Sequence, residues 1–191
     1  KSINFEAGVQ YANKKINARA VYFTRKIDNG IDYNYITYKY YNFIKQHVTG
    51  LEFEFSVKPI NQIIITGNYT TQSFSETSQN RITNMDTVTY NYLLRRPKNI
   101  VNLTVGWQPL KQLYVSVSNK FVDNRYDVGG YAKADIQLKN YYLLNAYAEY
   151  RFNTSIKFFA DVQNITNTKF FEVNGYNAMP TLINVGVTFN W

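Results

Sequence analysis

His47 is the only histidine in the chain, and there is no cysteine at all. A catalytic triad needs a nucleophile and an orienting acid or amide beside such a histidine, and those roles are assigned by geometry rather than by spacing. No serine and asparagine can be assigned to His47 by position in the chain, so the plainer reading is a histidine at an interface. Without thiolates, neither a disulfide framework nor a thiolate metal site is available. The stretch "DNRYDVGG", Asp123 to Gly130, offers carboxylates near glycines but lacks the ligand spacing of an EF-hand loop. A glycine-rich turn accounts for it better. The four Asn-X-Ser/Thr sequons fall in strands or tight turns and carry no further message. No cofactor and no metal are expected. The net charge of +8 is scattered over turns and loop flanks, as at Lys14-Lys15, Lys58, Arg95-Arg96 and Lys111. A nucleic-acid surface would concentrate that charge on one face with its own motif. The scatter argues against a nucleic-acid partner and suits a solvated rim, near acidic lipid headgroups.

Chemistry being thin, the elements matter more. Eighteen Tyr and thirteen Phe sit among many Asn and Thr, a composition that favours strands. Counting odd and even positions gives about nine strands. Ile3, Phe5, Ala7, Val9 and Tyr11 oppose Asn4, Glu6, Gly8 and Gln10. Asn17 to Arg25, Leu51 to Lys58, Ile63 to Thr70, Val101 to Gln108 and Leu113 to Ser118 follow. Leu144 to Phe152, Ile156 to Gln163 and Asn184 to Trp191 complete the set. Each has an apolar and a polar side, least distinctly in Asn17 to Arg25, where Ala18, Ala20 and Tyr22 oppose Arg19, Val21 and Phe23, so the two faces meet two different solvents. Short turns at 13–17, 58–62, 108–112 and 152–155 alternate with long polar stretches at 26–45, 74–92, 123–140 and 165–181. Tight turns at one end and long loops at the other are the mark of an outer-membrane barrel. Tyr11, Tyr22, Trp107, Tyr150, Phe152 and Trp191 stand near strand ends, as aromatic girdles do. A soluble sandwich would alternate equally well. The polar side, however, carries Glu52, Glu54, Lys157 and Asp161, which suits a wet lumen better than a protein surface. The fold class expected is therefore all-β, a transmembrane antiparallel barrel.

The chain ends on "NVGVTFNW". Asn184, Gly186, Phe189 and Trp191 match, position by position, the terminal strand by which bacterial outer-membrane proteins resemble one another. The resemblance implies recognition by the barrel-insertion machinery. Three further stretches are similar to the TonB-dependent outer-membrane transporters, and within them to the cobalamin-receptor branch. They are "IDYNYITYKYYNFIKQHVTGLEFEF", "LLRRPKN" and "VQNITNTKFFEVNGYN", together with the opening "KSINFEAGVQY". Asn164, Phe171-Glu172 and Gly175-Tyr176 carry the likeness most sharply.

That resemblance implies a barrel of ~22 strands around an N-terminal plug, of which residues 1–191 would be the C-terminal segment. The plug and the earlier strands would lie upstream in the same protein, and TonB would act through that plug. Outer-membrane lipid would surround the wall, and a surface lipoprotein could join it. The function implied is active uptake, across the outer membrane of a Gram-negative bacterium, of a scarce large nutrient: cobalamin, haem or an iron–siderophore. Loop residues expected to touch it are Tyr40, Tyr41, Tyr126, Phe171 and Tyr176. The alternative is a small self-contained outer-membrane barrel that is structural, adhesive or a passive pore. An even, closed strand count would favour that alternative, and an odd, open one the larger barrel.

Overall fold

The computed structural model describes residues 1–34, 38–83, 86–130 and 133–190. Trp191 lies outside them. Nine antiparallel strands run in one path: β1 (Ser2–Ala12), β2 (Ile16–Asn34), β3 (Lys39–Ile60), β4 (Ile63–Gln79), β6 (Asn99–Leu110), β7 (Leu113–Val122), β10 (Tyr141–Arg151), β11 (Ile156–Gln163) and β12 (Leu182–Phe189). A short β5 (Thr87–Tyr90) hangs on β4, and β8 (Arg125–Asp127) pairs with β9 (Ile136–Leu138) in a loop. The path is open, with β1 and β12 at its two ends. Among the described residues each of the nine expected strands has its counterpart in this path, and the count is odd.

The two faces separate as the alternation requires. Phe5, Tyr22, Leu51, Phe53, Val105, Val117, Phe158 and Val185 lie on one side, and Glu6, Arg19, Glu54, Asn68, Asn102 and Asp161 on the other. The apolar side chains pack on nothing: Leu51 is 53% exposed and Val185 76%. A dry protein core on that side is thereby excluded. Bare apolar strands of this length are stable only against lipid, where every backbone group finds its partner in the neighbouring strand. Tyr11, Trp107, Tyr150 and Phe152 gather near the tight-turn end, and Tyr22, Tyr69 and the Phe121–Tyr142 ring pair toward the loop end. These are the two girdles.

The tight turns are built by local chemistry. Asn13 Oδ1 accepts from the Lys15 and Ile16 amides at 2.8 and 2.7 Å, and Asn153 repeats the arrangement with Ser155 and Ile156. Both are Asx turns. The other two turns are shorter than expected. Pro59 and Pro109 belong to β3 and β6, and the ladder shifts register between Val57 and Ile60 and between Trp107 and Leu110. A proline without an amide proton fits at such a bulge.

The largest departure is at 26–45, expected as a loop. Here β2 and β3 continue as a paired hairpin, and β4 runs beside it to Gln79. Tyr40 and Tyr41 are strand residues, paired with Tyr33 and Asp32. The pairing skips Asn29 and Ile44, and Asn29 has φ of 52°. Beyond that point Asp32 shares the side of Gln46 and Glu76 although parity would oppose it. Above the bilayer no solvent difference holds the faces apart, so the alternation that reveals a strand is lost.

Candidate functional site

All the long connections lie at one end of the sheet, and the loops after β4, β7 and β11 are joined by ion pairs in which at least one partner is buried. Arg81, 9% exposed, bonds Glu76 at 2.8 Å and Asp135 at 2.6 Å, and lies 4.0 Å over the Tyr90 ring. Tyr92 donates to the same Asp135 at 2.8 Å, and Gln46 donates to Glu76 at 2.9 Å. Burial works against charge on Arg81, yet Asp135 and Glu76 outweigh it and raise its pKa above the ordinary arginine value. The Tyr92 phenol is pushed up by burial and by its bond to Asp135. Tyr41 is raised to about 12 by burial and by the charges of Asp32 and Glu76, against the pull of Arg81. Both phenols stay neutral throughout the physiological range; Tyr92 donates to Asp135, and the Tyr41 oxygen accepts from Arg81.

Asp127, fully buried, takes Arg95 Nε at 2.7 Å, the Asn174 amide at 2.7 Å and the Val128 amide at 2.9 Å. The Arg95 amide donates to the Tyr126 carbonyl, and the Tyr126 ring stacks on Tyr92 at 3.9 Å. Arg125, 2% exposed, reaches the Phe171 carbonyl and the Glu172 carboxylate. Tyr141 donates to Glu172 from beneath and stacks on Phe170. Each buried charge has an opposite charge within bonding distance, the condition under which burial is tolerated.

Below these loops Leu93 joins Val48 and Phe74 in a small apolar cluster flanked by Phe23. This seats the Leu93–Arg96 segment over the polar side of the sheet. A cleft of about 220 Å3 results, lined by Arg25, Asp32, Gln46, Glu76, Arg81 and that segment. Of its four arginines, Arg81 is held by Glu76 and Asp135 and Arg95 by Asp127, so Arg25 and Arg96, outside those pairs, carry the positive charge that an anionic group would meet. Among the described residues there is no cluster of side chains that could hold a metal.

The five residues expected to meet a ligand are dispersed around this cleft. Tyr40 (77% exposed) and Tyr176 (74%) stand in the open, Tyr41 is half-buried beside Asp32, Tyr126 is held in its stack, and Phe171 is anchored through its carbonyl. None of them lines the cleft itself. Sequence reasoning passed over Arg25, although parity puts it on the polar side; Arg81 was legible only as the start of a loop, 81–92, that could touch substrate. His47 Nε2 meets the hydroxyls of Thr24 and Thr49 at 2.9 and 3.1 Å, with no acid or amide in that group.

In the terminal strand, Asn184 Nδ2 lies 3.4 Å from Asp161, and Phe189 faces outward. Gly186 lies under the Phe159 ring: a Cβ there would meet Phe159 Cζ at 2.4 Å.

Residues 1–165 match the family described as TonB dependent receptor-like, beta-barrel. The chain belongs to that family. TonB-dependent receptors are transporters, not enzymes, and their barrel is an outer-membrane domain of Gram-negative bacteria. The sheet superposes on the ferric-catecholate import receptor Fiu from E. coli with a TM-score of 0.77 at 18% identity, covering 98% of this chain and 27% of that one. The siderophore receptor PiuA from Acinetobacter baumannii gives 0.78 at 18%, covering 98% and 28%. The ferripyoverdine receptor of Pseudomonas aeruginosa gives 0.76 at 16%, covering 98% and 27%. The chain thus spans little more than a quarter of these receptors. No curated protein sequence matches it.

Proposed function

We propose that the full-length protein takes up an iron–siderophore-type nutrient across the outer membrane by TonB-dependent transport. This chain supplies the C-terminal barrel wall and the loops that frame the entrance. The observation that carries the reading is the cleft on the polar side, framed by loops tied through Arg81, Arg95 and Arg125, with Arg25 and Arg96 in its lining outside those pairs. Preorganised positive charge lowers the ordering cost of capturing an anionic chelate. An open, odd-numbered path supports a larger barrel over a small self-contained one. The plug, the earlier strands and the contact with TonB then belong to the rest of the protein. The solved structures named above are siderophore receptors, which favours that cargo over the cobalamin implied by the resemblance.

Titration of the purified full-length receptor with a ferric catecholate, a ferric hydroxamate, haem and cobalamin tests this. Saturable binding of an iron–siderophore, weakened by Arg25→Glu, is expected. Saturable cobalamin binding with none of a siderophore would reverse the assignment. Asn184, Gly186, Phe189 and Trp191 form the insertion signal in this reading, tested by assembly of C-terminal variants.

A further inference from the structure

The outer side of β2, β3 and β4 does not stop at the apolar belt. Going up from Tyr22, Leu51 and Thr71, the paired rows read Thr24, Thr49 and Ser73, then Lys26, His47 and Ser75, then Asp28, Lys45 and Thr77. Every position in the three upper rows is polar. On β1 the flanking residues are still apolar, with Phe5 beside Thr24 and Ile3 beside Lys26. That offset is what strands tilted by about 35–45° produce, because paired residues on neighbouring strands stand at different heights. Apolar and basic side chains therefore meet along one oblique line.

Two residues along a tilted strand rise roughly 5 Å, and each headgroup layer is about 5–8 Å deep. The Thr24–Thr49 row then lies at headgroup depth, and the Lys26–His47 row at its outer limit. Lysine stems can bend back toward that depth while resting on apolar neighbours.

The His47 ring is fixed through one nitrogen. Thr24 and Thr49 hydroxyls both meet Nε2, and they lie 3.3 Å from each other. Nδ1 takes no part in this trio. Lys26 and Lys45 are exposed. Asp28 is the carboxylate among these rows; its amide bonds the carbonyl of Lys1, whose own side chain adds a third positive charge at this edge. Three lysines against one aspartate leave the patch basic.

We propose that this patch, centred on Lys26, His47 and Lys45 with the Thr24 and Thr49 hydroxyls, binds the phosphate of an outer-leaflet lipid headgroup. Two arguments select that occupant. The patch continues the lipid-facing belt without a break, so the molecule whose chains cover Phe5, Tyr22 and Leu51 has its headgroup here. The patch is also positively charged where that leaflet presents anionic phosphate, and each lysine near such a surface contributes to the attraction. The inference rests on the membrane setting and is independent of the cargo, so failure of siderophore binding leaves it intact.

The test uses the full-length receptor in non-ionic detergent, with retained lipid counted by native mass spectrometry. Lipid A, dephosphorylated lipid A and inorganic phosphate are the three probes. Lipid A is expected to bind at least roughly tenfold more tightly than its dephosphorylated form. Lys26→Glu combined with Lys45→Glu should erase that difference, and Lys26→Arg with Lys45→Arg should keep it. Equal affinity for the two lipids, or preference unchanged by charge reversal, overturns the proposal. Release of lipid A by inorganic phosphate alone would assign the patch to free phosphate and also overturn it. Should the charge-reversed protein not fold, judged by its heat-modifiable migration, the two-lipid comparison on the natural protein decides.

Discussion

Arg95 Nε lies 2.7 Å from Oδ1 of Asp127, a carboxylate shut off from solvent, while the arginine side chain stays about one-third exposed. The pair ties the loop after β4 to the loop after β7, and Asp127 also takes the Asn174 amide from the loop after β11. Asp127→Ala should therefore loosen three loops at once without unfolding the barrel. Removing one partner of a buried pair costs about 3–5 kcal/mol, reduced here because Arg95 can turn to water. Faster amide exchange in all three loops, with β6, β7 and β10 unchanged, is the expected result. Faster exchange confined to one loop would refute the link.

The Arg81 node gives a sharper case. Arg81→Ala would strand Glu76 and Asp135, whose side chains are both buried. A loop end that opens is expected. Limited proteolysis of the full-length variant at pH 7 checks it. Arg81→Ala combined with Glu76→Gln should regain part of the protection at pH 7.

Tyr41 sets an alkaline limit on the hairpin. Its folded pKa, about 12, exceeds its ordinary value of 10.0. Between those values the unfolded hairpin loses the proton and the folded one keeps it, so stability is unaffected below pH 10 and falls as pH rises toward 12. Ultraviolet titration of the phenols should show a late-ionising group that Tyr41→Phe removes, while Tyr40→Phe, an exposed neighbour, leaves it in place.

Gly186 tests two explanations of one residue. If its role is to lie under the Phe159 ring, Gly186→Ala costs about 1–3 kcal/mol by overpacking, and Phe159→Ala relieves much of that cost. A loss of assembly that Phe159→Ala leaves undiminished would assign the glycine to the insertion signal instead. Folding yield of the two single variants and the double variant separates them.

Asn164 closes the last long loop. It has φ of 49°, is 4% exposed, and its side chain bonds the Thr168 amide and the carbonyls of Thr168 and Met179. Asn164→Ala removes three bonds, each worth about 0.5–1.5 kcal/mol net, since the Thr168 and Met179 groups stand where water can replace it. Protease cleavage within 165–181 is expected, with β11 and β12 still paired. Asn164→Gly, which suits the backbone but makes no bonds, should recover only the smaller part.

What the sequence determined by itself is the wall. In a bilayer the two solvents impose a strict two-residue alternation, so Ile3 to Tyr11 or Ile183 to Phe189 announces both the strand and its face. Turns such as Asn13–Ile16 are equally local. What only the tertiary structure decided is everything above the belt. The strand extension through Tyr40 and Tyr41 and the reversal of faces at Asn29 arise within a hairpin that no alternation marks, and the meeting of Arg81 with Asp135 and of Arg125 with Glu172 joins residues tens of positions apart. Water bathes both sides there, so no periodic constraint is written into the residues. The entrance is built from long-range ion pairs, and a pair of charges 54 positions apart has no local signature.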